Sequence, residues 1–151
     1  MDHEILSAGL GPELEGWDWF AVQLDDRTEL MVFLLRNRDG SIDPYSAGTF
    51  IDAAGETTHL SSNDFSVEET DHWVSPQTNA RYPVAWRLNV VTMDLTMGIR
   101  AMIPASELIL NATDVTYWEG AVRAEGRRGE TPIAGRGYVE MSGRDQPFEG
   151  I

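Results

Sequence analysis

The chain has 151 residues, 42% of them hydrophobic and 24% charged, which is typical of one globular domain. The absence of cysteine excludes disulfides, thiolate metal sites and a cysteine nucleophile. The formal net charge of −14 argues against nucleic-acid binding and against binding to an anionic membrane surface, because both need a basic patch.

Short apolar or alternating runs follow one another along the chain and are separated by turn residues. They predict nine β-strands, at residues 17–25, 29–37, 46–53, 57–61, 64–74, 83–90, 94–101, 115–125 and 132–142. Turns are predicted at residues 37–40, 52–55 and 126–129, where glycine can supply a positive φ. The best helical window is 104–110, and we expect at most one or two short helices. The pattern predicts an all-β protein, either a closed antiparallel barrel or a sandwich.

No segment of the sequence resembles a membrane span or a signal peptide. The longest apolar run, residues 30–35, is far shorter than the ~20 residues that a spanning helix needs. The first five residues are acidic and lack a basic start and an apolar stretch. We therefore expect no membrane insertion and a cytoplasmic location.

The first predicted strand is rich in aromatic residues. Because side chains alternate along a strand, Trp17, Trp19 and Gln23 share one face, while Asp18 and Phe20 lie on the other. Apolar residues on both faces indicate that other parts of the protein cover both sides of this strand. Two interpretations are open: plain core packing, or an aromatic wall around an apolar ligand with Gln23 as a polar anchor.

Two further strands carry charges beside apolar residues. Arg36 follows six apolar residues and is either a solvent-exposed strand end or an inward charge whose carboxylate partner is Glu119 or Glu140. Glu119 lies beside Tyr117 and Trp118, where desolvation would raise its pKa and suit it to general acid catalysis. The alternative for Glu119 is a structural carboxylate that binds Arg36 or backbone donors.

The histidines do not form a metal motif. His3, His59 and His72 are spaced too widely for one, and we predict neither a metal site nor a cofactor. His59 and His72 stand in polar surroundings and are predicted to be surface residues. No serine lies in a nucleophile-elbow context, so the sequence gives no support to Ser-His-Asp hydrolysis.

Several short motifs occur together in one order along the chain. Taken together they resemble the carotenoid 1,2-hydratase (hydroxyneurosporene synthase) and AttH-like family over nearly the whole length. The motifs are residues 1–4 (MDHE), 16–20 (GWDWF), 29–31 (ELM), 35–36 (LR), 39–40 (DG), 73–76 (WVSP), 82–83 (YP) with Trp86, 117–122 (YWEGAV) and 137–140 (GYVE).

The resemblance implies a lipocalin-like fold and an apolar ligand. Family members carry two such barrels in tandem, and this chain resembles the second, with a lead-in over residues 1–15, a barrel over 16–144 and a tail over 145–151. The hydratases of the family add water to a terminal C=C bond of a carotenoid, and related proteins fold polyenes for cyclisation. The expected ligand is therefore an isoprenoid-like or polyketide-like polyene.

The sequence departs from the hydratase pattern at specific positions. Ile5 stands where the family usually has tryptophan, and the strand around Phe33 is wholly apolar where hydratases carry tyrosine and aspartate. The usual Gly-Tyr ending of the last motif is Gly143-Arg144 here. The first two departures weaken the hydratase interpretation in particular.

Three hypotheses follow: a barrel that binds and cyclises or isomerises a polyene, a hydratase, and a non-catalytic barrel that pairs with a second copy or with another lipocalin-like domain. The residues expected to contact the ligand are Trp17, Trp19, Gln23, Phe33, Arg36, Trp86, Trp118 and Glu140. The residues expected to act in catalysis are His3, Tyr117 and Glu119.

Overall fold

The computed structural model describes residues 11–110 and 115–144, and this part of the chain forms ten β-strands. Nine of the strands coincide with the nine predicted runs, so the all-β prediction is confirmed. The strands are β1 (Leu14–Leu24), β2 (Glu29–Asn37), β3 (Ala47–Ile51), β4 (Thr57–Ser61), β5 (Phe65–Val74), β6 (Arg81–Val90), β7 (Leu95–Ala101), β8 (Glu107–Leu110), β9 (Val115–Arg128) and β10 (Thr131–Ser142). The predicted tail and residues 1–10 of the predicted lead-in lie outside the described residues.

The best helical window of the sequence, residues 104–110, forms no helix. Residues 107–110 form β8, which pairs with β9, so strand pairing outweighs the weak helical propensity of this window. The Glu107 carboxylate at its start accepts hydrogen bonds from the hydroxyls of Ser75 and Thr78, which fixes the loop between β5 and β6. Within the described ranges the helical structure is one 3₁₀ turn, Val91–Met93, and no helix could span a membrane.

The strands form one curled, antiparallel sheet. Its order is β4-β3-β2-β1-β10-β9-β7-β6-β5, and β8 adds to β9 beside this path. The chain thereby builds a half-barrel of lipocalin-like architecture, as the resemblance implied. Strands that are distant in sequence, β1 and β10, pair at its centre with Asp18 opposite Met141 and Gln23 opposite Arg136.

Alternation along the strands gives the sheet two distinct faces. The inner face is apolar and filled by large side chains. Trp86 packs edge-on against Phe20 at 5.5 Å between ring centroids and against Trp118 at 6.1 Å. All three rings are buried, and Val122 and Val139 beside them have no exposed surface. On the inner face, the described residues thus form a packed hydrophobic core.

Two of the predicted turns depend on glycine. β9 and β10 are joined by the two residues Gly129 and Glu130, and Gly129 has a φ of 57°. Gly40 ends the turn after β2 with a φ of 83°. Both values lie in the left-handed region, which glycine adopts without a steric penalty. The glycines therefore allowed these turns to be predicted from the sequence.

Candidate functional site

Four aromatic side chains meet on the outer face of the central strands. The ring of Trp17 lies 5.8 Å from Phe33 and 6.1 Å from Tyr117, measured between centroids. Trp19 lies opposite Phe33 in the pairing of β1 with β2. Together with Tyr138, these residues form what we call the outer aromatic patch. Each member keeps part of its surface in solvent, so the patch is a partly exposed apolar surface.

Two carboxylates border the outer aromatic patch. Glu140 on β10 lies between Trp19 of β1 and Glu119 of β9, because each is its partner in register. The Tyr138 hydroxyl donates to Oε2 of Glu119 at 3.4 Å. Burial raises the pKa of Tyr138 above its usual 10.0, and the negative charges of Glu119 and Glu140 raise it further. Tyr138 therefore remains a protonated hydrogen-bond donor at neutral pH.

A groove of about 380 Å³ opens on the same face. Its walls are mainly apolar and are formed by side chains of β1, β2, β3 and β10, among them Ala21, Met31, Ile51 and Tyr138. Gln23 lies at the groove and donates to Oε1 of Glu29 at 3.3 Å. Because Tyr138 belongs to both features, we call the outer aromatic patch and this groove together the outer apolar site.

Arg36 points inward, as one of its two interpretations required, but its partners are not those predicted. Its Nε donates to Oδ1 of Asp18 at 3.1 Å, and its Nη1 lies 3.2 Å from Oε2 of Glu15. Glu119 and Glu140 lie on the opposite face of the sheet, which is why neither can reach it. Burial lowers the pKa of Arg36, and the charge of Asp18 opposes that effect; the guanidinium nevertheless stays protonated.

Arg144 extends this ion pair across the mouth of the half-barrel. Its Nη2 lies 2.5 Å from Oδ2 of Asp18, and its Nη1 lies 2.7 Å from Oε1 of Glu69 on β5. Nε2 of His72 lies 2.8 Å from the other oxygen of Glu69, so this half-buried histidine takes part in an ion pair. This inner charge network, Arg36-Asp18-Arg144-Glu69-His72, joins β1, β2 and β5 with the end of β10.

The structure separates the predicted site residues into two groups. One group lies on the outer face and consists of Trp17, Trp19, Gln23, Phe33, Tyr117, Glu119 and Glu140. The other group, Arg36, Trp86 and Trp118, faces inward, and Trp118 donates its indole N–H to the Pro104 carbonyl at 2.7 Å. His3 lies outside the described residues. The outer group is brought together, while the tryptophans of the inner group belong to the core.

Tyr138, Asp18 and Arg144 are among the residues of these clusters that were not predicted as site residues. Tyr138 shares the face of Glu140 by simple alternation in the Gly-Tyr-Val-Glu motif, so the sequence contained a usable signal. Asp18 lies between two tryptophans on the face of Phe20, and a carboxylate on an apolar face predicts a buried cation partner. Arg144 had no such signal, since its partners Asp18 and Glu69 are 126 and 75 residues away in the chain.

The family of the chain follows from its sequence match together with this fold. A family model described as AttH-like matches residues 1–144. The chain belongs to the AttH-like family. The motifs of the outer aromatic patch and of the inner charge network up to Arg144 all lie within the matched range. No curated protein sequence matches the chain.

Two solved structures resemble this AttH-like chain. An AttH protein of Nitrosomonas europaea is 35% identical with a TM-score of 0.81, over 91% of this chain and 41% of that one. Kievitone hydratase of Nectria haematococca is 19% identical with a TM-score of 0.70, over 85% of this chain and 39% of that one. The second likeness concerns the fold alone. The AttH-like chain spans about two fifths of the length of each matched structure.

Proposed function

We propose that the chain binds an extended apolar small molecule, of the isoprenoid or polyketide polyene class, at the outer apolar site. The observation that carries this proposal is the joining of half-exposed aromatic rings with an adjacent apolar groove on one face. Flat rings such as Trp17 and Phe33 offer a large contact area for a conjugated chain at little cost in side-chain entropy. Gln23 supplies a polar anchor at the groove.

Binding at this site supports a reaction governed by shape. A polyene laid along Trp17, Trp19 and Phe33 loses the conformational freedom that makes cyclisation or isomerisation slow in solution. Holding the reacting carbons at near-attack distance can supply much of the acceleration without an acid or a base. The proposed activity is therefore cyclisation or isomerisation of the bound polyene.

Hydration is the second candidate, and the contact between Tyr138 and Glu119 favours it. In this reaction the Tyr138 hydroxyl gives its proton to one carbon of a C=C bond. The oxygen of a water molecule adds to the other carbon, and Glu119 takes the proton that this water loses and returns it to the tyrosinate. Tyr117 borders the same patch, and the aromatic faces would stabilise positive charge on the alkene carbon. The similarity in fold to a protein named a hydratase agrees with this candidate, in which His3 is the alternative proton donor.

A third candidate is pairing with a second barrel. The chain spans only about two fifths of the matched structures, and the outer aromatic patch is an apolar surface that a second lipocalin-like domain or a second copy could cover. Light scattering separates the cases, since a pairing role predicts a dimer that Trp19→Asp dissociates. A monomer in solution would contradict pairing with a second copy.

The binding proposal is tested with all-trans-retinol, a neutral polyene, by titration of tryptophan fluorescence. We expect Trp19→Ala to weaken retinol binding about ten-fold or more, because one aromatic wall is lost. The matched control is Val91→Ala, an exposed apolar residue in the 3₁₀ turn. Equal retinol affinity in both variants and in the unchanged chain would contradict the proposal.

A further inference from the structure

Three arginines lie side by side across the outer face, and one of them, Arg136, borders the groove of the outer apolar site. Arg100 on β7 lies opposite Arg123 on β9, and Arg123 lies opposite Arg136 on β10. All three side chains are exposed. Like charges in directly opposite positions destabilise a sheet. This arginine row is thus an unfavourable arrangement for folding, in a chain that has only 11 basic residues and a net charge of −14.

The charges of the arginine row are poorly compensated within the protein. Nη1 of Arg100 lies 2.9 Å from Oδ2 of Asp71, in an ion pair whose two side chains are both more than half exposed. Such a pair contributes little free energy and is readily exchanged. Among the described residues, Arg123 and Arg136 take part in no ion pair. Positive charge therefore remains available to a partner from solution.

The first two members of the arginine row line a groove of about 550 Å³. Ala85 and Gly98 lie between the longer side chains, and their lack of bulk creates the depression. A Cβ atom built on Gly98 would meet nothing closer than 3.8 Å, the distance to the carbonyl oxygen of Glu125, so the space above this glycine is open. Met102, which is half exposed, adds an apolar wall.

The groove also has an acidic side chain. Glu125 lies opposite Gly98 in the pairing of β7 with β9, two residues along β9 from Arg123. In the described part of the chain it forms no ion pair. A ligand with one negative group can bind the two guanidiniums and still avoid Glu125, whereas a second negative charge in the groove would be repelled.

We propose that this groove binds the carboxylate of a monoanionic, apolar organic acid. Arg100 and Arg123 donate to the carboxylate oxygens, a geometry for which the planar guanidinium is well suited. The apolar part of the acid packs over Gly98 and against Met102. Glu125 makes the site selective for a single negative charge. The proposed site is formed mainly by β6, β7 and β9, whereas the outer apolar site lies mainly on β1, β2, β3 and β10. It does not depend on the function proposed above.

The test uses decanoate as the probe, with isothermal titration calorimetry on the full chain and decanol and inorganic phosphate as comparisons. We expect decanoate to bind and both comparisons to bind at least about ten-fold more weakly. Arg123→Gln should weaken decanoate binding about ten-fold, and Gly98→Leu should abolish it by filling the groove. Glu125→Gln should tighten it, since a repelling charge is removed. The control is Arg27→Gln, an exposed arginine in the turn between β1 and β2 that does not line the groove.

Thermal unfolding of the same variants separates a binding role from a structural one. Because like charges face each other, Arg123→Gln should leave the melting temperature unchanged or raise it while binding is lost. Failure of decanoate to bind, unchanged affinity in Arg123→Gln and Gly98→Leu, or phosphate binding as tight as decanoate would each overturn the proposal. Trp19→Ala should not alter decanoate binding, so failure here is distinguishable from failure of the outer apolar site.

Discussion

Asp18 accepts a hydrogen bond from Nε of Arg36 at 3.1 Å, and both side chains are buried on the inner face of the half-barrel. The second oxygen of Asp18 binds Arg144. One carboxylate thus compensates two guanidiniums taken out of water. Replacement of Asp18 removes a counterion from both arginines. It should therefore lower the free energy of unfolding more than replacement of either arginine alone.

Replacement of the shared acid should therefore be strongly destabilising. We expect Asp18→Ala to lower the free energy of unfolding by about 3–5 kcal/mol, because the two guanidiniums lose their one buried counterion and keep only the more exposed Glu15 and Glu69. Urea denaturation measures this difference. The comparison is Glu68→Ala, which breaks the exposed pair with Arg87 and should change stability by less than about 1 kcal/mol. Similar losses in the two variants would show that the inner charge network is not desolvated as described.

The inner charge network should also lose stability in acid. Burial acts to raise the pKa of Glu69, but the charge of Arg144 and the hydrogen bonds from His72 and Arg144 outweigh it, and the pKa falls below the usual 4.5. A carboxyl whose pKa is lower in the folded state contributes stability above its unfolded pKa and loses it as the pH falls through the folded pKa. Unfolding free energy should thus drop below about pH 4.5, and Glu69→Gln should reduce that drop. If the unfolding free energy of Glu69→Gln falls in acid as steeply as that of the unchanged chain, Glu69 does not contribute to the acid sensitivity.

Tyr138 should ionise at more alkaline pH than an ordinary tyrosine. Its burial and the charges of Glu119 and Glu140 disfavour the tyrosinate. Ultraviolet titration of the chain minus that of Tyr138→Phe isolates this group and should give a midpoint above 10.0. Glu119→Gln should move the midpoint down, since one negative charge is removed. A midpoint at or below the ordinary value would show that burial and the two carboxylates do not disfavour the tyrosinate as described.

The two faces of the sheet should respond differently to loss of a tryptophan. Trp118→Ala removes a fully buried side chain and should cost about 3–5 kcal/mol of unfolding free energy through lost contacts and the cavity left behind. Trp19→Ala removes a half-exposed ring and should cost only about 1–2 kcal/mol. Thermal or urea unfolding compares them. Equal costs would mean that the outer aromatic patch is core, and not a surface for a ligand.

Local sequence patterns were sufficient to predict most of the fold. Alternation and turn residues located nine strands, because the two-residue period and the chemistry of turns such as Gly129 are local properties. β8 escaped prediction because four residues carry too little pattern, and its strand conformation depends on pairing with β9.

The candidate site was predictable only in part. Alternation placed Trp17, Trp19 and Gln23 on one face correctly, but it could not say which face turns outward, since both are apolar in β1. The partners of Arg36 were missed for a related reason. Arg36 lies opposite Gly16 in the pairing of β1 with β2, so Asp18 shares its face, and this pairing register is not visible in the sequence.

We propose that the apolar ligand binds outside the half-barrel, not within it. The chain has five tryptophans, and the indole N–H signals of a two-dimensional ¹H–¹⁵N NMR spectrum report on each of them separately. Addition of all-trans-retinol should shift the signals of Trp17 and Trp19 and leave those of Trp86 and Trp118 unchanged. Shifts confined to Trp86 and Trp118, or no shift at all, would contradict the account.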